Sequence, residues 1–597
     1  MNHINENTGK TFHEDGKEAV QPSKAGEDGL NAESKSSLCG SSTDNEEELG
    51  EEEQDPVTKE IVEQRKGYVR RMCSIFNKIQ QQAQENSSPL KGPMAAVGFL
   101  SKNSPNAGPS PVKQSLLQSP DPMCENDSSQ HLFECVLLVG LTLSSGSDKG
   151  SIYVPYIKSK FPANVLVPPL IEHLCFPDAS DWTIRRSLSP KADGSKKRDS
   201  KSDDEMKVDG CDQTYSLVIT GADGSRRFGY CRRVLPEGGS MCLPLTYCLI
   251  SPYRANGFYF KVLAELESRH GGPESEQNAF LQELYSCHLP GPSEVLQLPS
   301  SAEPLSPFVQ PLRRPFDVRL EEKEVMELVT CLEVGVFLDV FASILLERKV
   351  LLTSKYLSKL SCCVQALQSV LYPFTWQHTF IPVLPAPMFD ICGAPTPYII
   401  GILKGSNGQI PSISLDEGIM VDLDTSNCIK KVGDEGSILP SRMKRMLQSA
   451  LRIISSMKNS QQNSNKKNAN SGDDIDVCNV LVSDAFMGTF LFVVGHYPNH
   501  VVKHGDGHRT FQREKFIKAM PFSGVRMFLE WFTETAMFTS FINASLEGSG
   551  DSEFERRAKQ FCEETWKDSL LFLKAYKNFM KKSKSFGDRK KDWAIFT

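Results

Sequence analysis

Residues Phe337–Ile402 read FLDVFASILLERKVLLTSKYLSKLSCCVQALQSVLYPFTWQHTFIPVLPAPMFDICGAPTPYIIGI. Segments with a period near 3.6 alternate here with short, wholly apolar, β-branched runs. That is the pattern of strands buried on both faces of a sheet that helices cover. The spacing predicts a helix over Val334–Lys349, a strand over Val350–Thr353 and a second helix over Leu357–Leu371, ended by Tyr372–Pro373. Further strands are expected at Phe380–Leu384, Tyr398–Ile402 and Ile419–Leu423. Pro385, Pro387, Pro395 and Pro397 fall between strands, and Pro382 falls near a strand start, where a missing donor is tolerated. The expected fold class is α/β, with a largely parallel sheet in this central part.

Downstream of Leu439 the pattern turns helical. Arg442–Met457 is amphipathic, a Ser/Asn/Lys loop is expected at about 459–472, and helices are expected over Val477–His496, Gln512–Ala519, Gly524–Ser545 and Glu553–Lys582. Upstream, FECVLLVGL at Phe133–Leu141 is strand-like and is followed by a loop. YSLVIT and RRFGYCRRV, joined by GADGS, read as a β-hairpin over Tyr215–Val234. A strand at Leu245–Ile250 and a helix at Phe258–Arg269 complete an antiparallel sheet backed by helices, and a mixed-charge insertion falls at about 186–212. The resulting division is 131–289, a linker over 290–318, 319–438, and an all-helical 439–597.

The chain has 597 residues and a formal net charge of −7. Residues 1–58 hold 15 acidic and 4 basic side chains, a net of −11 that leaves +4 for the remainder. Such an acidic arm buries too little apolar surface to offset the entropy of ordering and is expected to be disordered. The balance of the rest gives no support to nucleic-acid binding. Residues 59–85 read as an isolated basic amphipathic helix. Ile61, Val62, Tyr68, Val69, Met72, Ile75, Phe76 and Ile79 fall on one face, and Arg65, Lys66, Arg70, Arg71 and Lys78 elsewhere. Such a helix can lie on an anionic membrane or an acidic partner surface, pack onto its own protein, or fold back on the acidic arm. Residues 86–130 form a Ser/Pro-rich linker whose Ser-Pro steps at Ser88, Ser104, Ser110 and Ser119 suit proline-directed phosphorylation. The 17 cysteines are scattered and include no C-x-x-C, the first residues lack a secretory core, and no run of eighteen apolar residues occurs. The expectation is a cytoplasmic protein whose membrane contact is peripheral.

Motifs of bond-making chemistry are missing. There is no G-x-x-x-x-G-K-[ST], no G-x-G-x-x-G after a strand, no G-x-S-x-G and no H-E-x-x-H. No cofactor, metal or catalytic residue is therefore expected. His496, His500, His504 and His508 recur every fourth residue, but Pro498, Gly505 and Gly507 break the helix that would align them on a metal. Asp422 and Asp424 share one side of a strand end, where α/β sheets place their sites. They can hold Mg²⁺, repel a phosphate, or simply bond the loop and cap the next segment. Glu347, Arg348 and Lys349 end a helix, where cations suit the negative pole of its dipole.

The wording of several segments resembles the DENN-domain family. LLERKVLLTS, LYPFTWQHTFIPVLP and APTPYIIGI are similar to its central module. FPANVLVPP, CFPD and DGSRRFGYCRR are similar to its upstream module. VVGHYPNHV and TFQREKFIKAMPFSGVRMFLEWFTETAMFTSFI are similar to the downstream module of its type-two subfamily. The resemblance implies a longin-like upstream module and guanine nucleotide exchange on a Rab GTPase, taken in its GDP-bound or nucleotide-free form. It further implies a role in endosomal or Golgi vesicle traffic. A non-catalytic Rab effector or scaffold is the alternative, and a GTPase-activating protein using Arg227, Arg232 or Arg348 a more distant one. On this chain the candidate partner-binding residues are Arg226, Arg227 and Arg232 of the hairpin, Asp339, Glu347 and Arg348 of the central helix, and Asp422 with Asp424.

Overall fold

A computed structural model describes residues 56–85, 131–144, 152–179, 214–221, 225–234, 243–287, 296–298, 308–310, 324–405, 408–410, 413–464, 472–548 and 552–565. The acidic arm through residue 55, the Ser/Pro-rich linker, the insertion at 186–212, most of 290–318 and the tail beyond 565 lie outside the described residues.

Helix α1 (Pro56–Glu85) is not isolated. Val62, Val69 and Met72 are buried against the rest of the chain, so the middle of its apolar face is taken up within the molecule, while Ile61 stays exposed. The first sheet comprises β1 (Cys135–Ser144), β2 (Ile152–Phe161), β3 (Thr214–Thr220), β4 (Arg226–Val234) and β5 (Leu245–Ser251), with the short helix α2 (Ile171–Cys175) between β2 and β3 in the chain. Its strand order is β2-β1-β5-β4-β3, and every pairing is antiparallel. The hairpin register sets Tyr215 opposite Cys231 and Thr220 opposite Arg226. Strand β2, read from sequence as a loop, carries Pro155, Lys158 and Lys160 as interruptions of its alternation. It survives as a strand because it is an edge, where an absent donor costs no ladder bond. Helices α3 (Asn256–Ser268) and α4 (Glu274–Ser286) follow, and α4 buries Phe280, Leu281 and Leu284 beside α3. One face of the sheet packs on this helix pair through Val136, Tyr230 and Leu249. The other face, through Leu137, Cys231, Cys248 and Ile250, joins α2 and the central module in one continuous core. A two-stranded ribbon, β6 (Leu296–Leu298) with β7 (Phe308–Gln310), lies in the segment between modules.

The central module contains α5 (Glu324–Cys331), α6 (Val334–Leu345), β8 (Lys349–Ser354), α7 (Leu357–Ser369), β9 (Thr379–Ile381), β10 (Tyr398–Leu403), β11 (Gly418–Asp422) and β12 (Asn427–Lys430). The order is β12-β11-β8-β10-β9; only the β11–β12 pair is antiparallel. The inner strands are buried on both faces, with Val350 and Leu352 toward one core and Leu351, Ile400 and Ile402 toward another. Gly401 is demanded by packing, since a Cβ there would stand 2.0 Å from the Pro382 carbonyl oxygen. Helix α6 stops at Leu345, four residues before the expected end. Glu347 takes a left-handed conformation (φ 54°) that reverses the chain, and Lys349 already belongs to β8.

The downstream part holds α8 (Ser441–Ser464), α9 (Gly472–Val494), β13 (Val501–Lys503), β14 (Arg509–Phe511), α10 (Arg513–Ala519), α11 (Ser523–Phe532), α12 (Ala536–Glu547) and α13 (Glu553–Thr565). Three expectations are corrected here. The module is not all-helical, because β13 and β14 form a hairpin. Helix α8 runs on to Ser464, into the stretch read as a loop. The single helix expected over Gly524–Ser545 is two, broken at Thr533–Thr535.

Candidate functional site

The carboxyl edge of the parallel sheet gathers the most polar side chains of the central module. Asp422 ends β11 and Asp424 follows it, so both carboxylates stand where β8, β10 and β11 end together. Lys404, one residue past β10, places its Nζ 2.6 Å from Asp422 Oδ1 and 2.9 Å from Asp424 Oδ2. Asp424 also accepts from Ser354 Oγ (2.7 Å) and the Lys355 N–H (2.9 Å), and Lys359 lies 3.6 Å away. Asp422 accepts from the Asp424 N–H (2.9 Å) and Thr425 Oγ1 (2.8 Å). Burial by itself would raise both carboxyl pKa values. The hydrogen bonds from Lys404 and from the neighbouring N–H and hydroxyl groups outweigh it, and both lie below the ordinary aspartate value. The ammonium of Lys404 occupies the position between the carboxylates that a divalent cation would take. The two aspartates bond the loop and cap the approach to α7. Above this neutralised pedestal stands Tyr356, 39% exposed, with the ammonium groups of Lys355 and Lys359 within 4.9 and 5.5 Å of its ring. Neither Lys404 nor Tyr356 was singled out from sequence. Their only signal is position, immediately after a buried strand.

Glu347 and Arg348 lie inside the molecule. The Glu347 carboxylate is 0% exposed, accepts the Ala536 N–H (3.1 Å) and the Met537 N–H (2.9 Å), and has His378 Nε2 at 3.3 Å. It thus serves the start of α12 together with Thr535, whose hydroxyl accepts from the Phe538 N–H. Its backbone oxygen accepts from Tyr68 Oη of α1. Arg348 makes a bidentate pair with Asp434 at 2.5 and 2.9 Å, and Arg65 of α1 donates to the carbonyl and hydroxyl of Ser437 beside it. Three further α1 cations are also spent within the chain: Lys66 on Glu530, Arg70 on Glu534 and Arg71 on Glu417.

The hairpin arginines divide. Arg226 donates to the Trp376 carbonyl and Gln368, which fixes the upstream sheet to the central module. Arg227 pairs with Glu134 at 3.1 Å and Arg232 with Glu267 at 2.5 Å, both partly open to solvent. Asp339 is also partly open and holds Lys431 at 3.3 Å. The structure therefore brings Asp422 and Asp424 together, and Glu347 beside Arg348, but gathers the eight candidates into no one patch. The most exposed large apolar side chain among the described residues is Leu166, at 92%, on the loop between β2 and α2.

The four histidines also part company. His496 is buried, stacks on Phe516 and donates from Nε2 to its carbonyl at 3.1 Å, whereas His504 and His508 lie at the β13–β14 turn. Burial pushes the His496 pKa down to about 3. Among the described residues no single helix is long and apolar enough to cross a membrane; α5 and α6 reach that length only as a pair bent by 119°.

Sequence comparison supplies the identity. The chain matches the uDENN domain over residues 155–234, the DENN (AEX-3) domain over 242–426 and the dDENN domain over 511–557. It is 37% identical over 396 residues to DENN domain-containing protein 2B of Homo sapiens, covering 66% of this chain and 32% of that protein. To 2C of Homo sapiens it is 35% identical, covering 73% and 45%. To 2D of Homo sapiens it is 32% identical over 425 residues, covering 69% and 82%. The chain thus spans about a third of 2B and under half of 2C, but four-fifths of 2D corresponds to it. Three matches in chain order, falling on the first sheet, the parallel sheet and the helical block, together with relatives at this identity, show that the chain belongs to the DENN-domain family and to its type-two branch.

Proposed function

We propose that the chain is a guanine nucleotide exchange factor for a Rab GTPase, acting in endosomal or Golgi-derived vesicle traffic from the cytoplasm. The observation that carries this reading is the ordered match of all three DENN modules. Exchange makes and breaks no covalent bond. It requires a surface that binds the open, nucleotide-free GTPase better than the closed, nucleotide-bound one, and each 1.4 kcal/mol of that difference is worth about tenfold in release.

On this chain the anchors are Tyr356, framed by Lys355 and Lys359, and Leu166. An exposed aromatic ring set in a rigid polar frame is the type of residue that carries most of an interface's energy. Arg227, Arg232 and Asp339 supply charged contacts from positions partly open to solvent. Arg226, Glu347, Arg348, Asp422 and Asp424 act from beneath, holding the elements that present those groups.

The test is release of a fluorescent GDP analogue from a panel of purified Rab proteins. The expected result is acceleration of one or a few of them, with tightest binding to the nucleotide-free form. Binding confined to the GTP-loaded form, with no acceleration, would replace exchange by an effector role.

A further inference from the structure

Three cysteines converge beneath the first sheet. Cys175 ends α2, Cys231 lies on β4, and Cys248 is directly opposite Cys231 on β5. All three are fully buried, and their sulfur atoms lie within 4.8 Å of one another. Among the described residues they are the one group of His, Cys, Asp and Glu side chains so drawn together. Several thiols elsewhere among the described residues find oxygen, as Cys73 donates to the Glu534 carbonyl, Cys287 to that of Glu283 and Cys562 to that of Gly495, and Cys363 meets only the single sulfur of Cys331. These three turn to each other instead. A single buried cysteine fills core volume as a small hydrophobe and asks for no further account. Three sulfurs aimed at one point from three separate elements form the donor set of a soft metal ion.

We propose that Cys175, Cys231 and Cys248 form a thiolate site for a soft d¹⁰ cation, Cu(I) or Zn(II). Metal–sulfur bonds of about 2.3 Å set neighbouring sulfurs roughly 4 Å apart, so the cluster reaches coordination distance by closing about 1 Å or less. Binding forms three metal–sulfur bonds, breaks the three S–H bonds and releases the protons to solvent. The accumulated negative charge has a partner in Arg233, two residues beyond Cys231 on the same side of β4. Its guanidinium lies over the rings of Phe176 and Tyr215, 5.3 and 5.4 Å from their centroids, and is shared with Asp178. Occupancy would clamp α2, and through it the loop bearing Leu166, to β4 and β5.

The test uses the full chain, analysed for metal after purification without chelator, then stripped and titrated anaerobically. Cu(I) is buffered by bicinchoninate in one arm and Zn²⁺ is added in the other, with Cd²⁺ as its spectroscopic stand-in. One equivalent should bind, with sulfur-to-metal ultraviolet absorption and a raised Tm. Cys231→Ala and Cys175→Ala should each weaken binding by about tenfold or more while leaving far-UV circular dichroism unchanged. Uptake in the first arm alone assigns the monovalent ion, in the second alone the divalent one. Should Cys231→Ala fail to fold, Cys175→Ala, at the end of a five-residue helix, decides the matter. Failure of the stripped chain to take up either ion, or undiminished uptake by a folded variant, would overturn the site.

Discussion

Glu347 shows how one residue can hold three parts of a chain. Its left-handed backbone ends α6, its carboxylate receives the first N–H groups of α12, and its carbonyl receives Tyr68 of α1. Glu347→Ala should destabilise the protein by about 3 kcal/mol, because two N–H groups lose their acceptor where water cannot replace it. Glu347→Gln, which keeps an acceptor oxygen, should cost roughly half as much; urea unfolding distinguishes the two, and equal losses would mean that the acceptor is not what matters. His496 provides the matching prediction for pH. The folded chain keeps its ring neutral down to about pH 3, whereas the unfolded chain takes up a proton near its ordinary value of 6.5. Stability is then fully present above pH 6.5 and falls as pH drops, by about 2 kcal/mol at pH 5 from this group. His500, its ring centroid 5.6 Å away and its pKa lowered by burial and then by Lys515, pulls in the same direction. Replacing His496 by Gln should flatten the decline in Tm between pH 7 and pH 5, and an unchanged decline would assign it to other groups.

At the scale of elements, α1 sets packing against charge. Its ion pair with Glu417 is exposed on both sides and that with Glu534 on the arginine side, each worth about 1 kcal/mol, whereas burying an apolar side chain is worth about 1.5–3 kcal/mol. Val69→Asp, at a fully buried position, should therefore free α1 and raise amide hydrogen exchange across residues 56–85, while Arg70→Glu should barely change it. The opposite order would make electrostatics the clasp. The same contrast explains what could be read from sequence. The runs at Val350–Thr353, Tyr398–Ile402 and Ile419–Leu423 were legible because their apolar character comes from burial on both faces, which leaves a local mark. The break between α11 and α12 was not, because one of its acceptors comes from Glu347, nearly two hundred residues away. Strand β2 hid behind an edge strand's tolerance of proline. At the candidate site, the spacing of Asp422 and Asp424 was visible, but the lysine between them arrives from another strand. Whether Arg226 faces inward or outward is likewise decided by Trp376, which only the folded chain brings to it.

Taken as a whole, the molecule is built so that one helix reports to both sheets. The beginning of α7 carries Tyr356 and is anchored through Asp424, while its later residues bond the upstream module: Ser361 Oγ accepts from the Ser216 N–H, Gln365 donates to Ser216 Oγ, and Ser369 Oγ accepts from Arg254 at 2.7 Å. Thirteen helical residues span about 20 Å. An interface burying about 800 Å² per partner is roughly 30 Å across, so a GTPase seated on Tyr356 extends to the module boundary. Two kinds of substitution should then separate. On the exchange reading proposed above, Tyr356→Ala should lower the rate of GDP release by about tenfold or more with Tm unchanged, since it removes the proposed exposed anchor and no internal bond. Arg226→Ala should lower Tm first, by loosening the tie to Trp376, and reduce exchange only as far as the two modules shift apart. Measuring release rate and Tm on both variants decides the matter. If Tyr356→Ala exchanges normally while Leu166→Asp does not, the GTPase sits on the upstream loop and the carboxyl edge of the parallel sheet serves the fold alone.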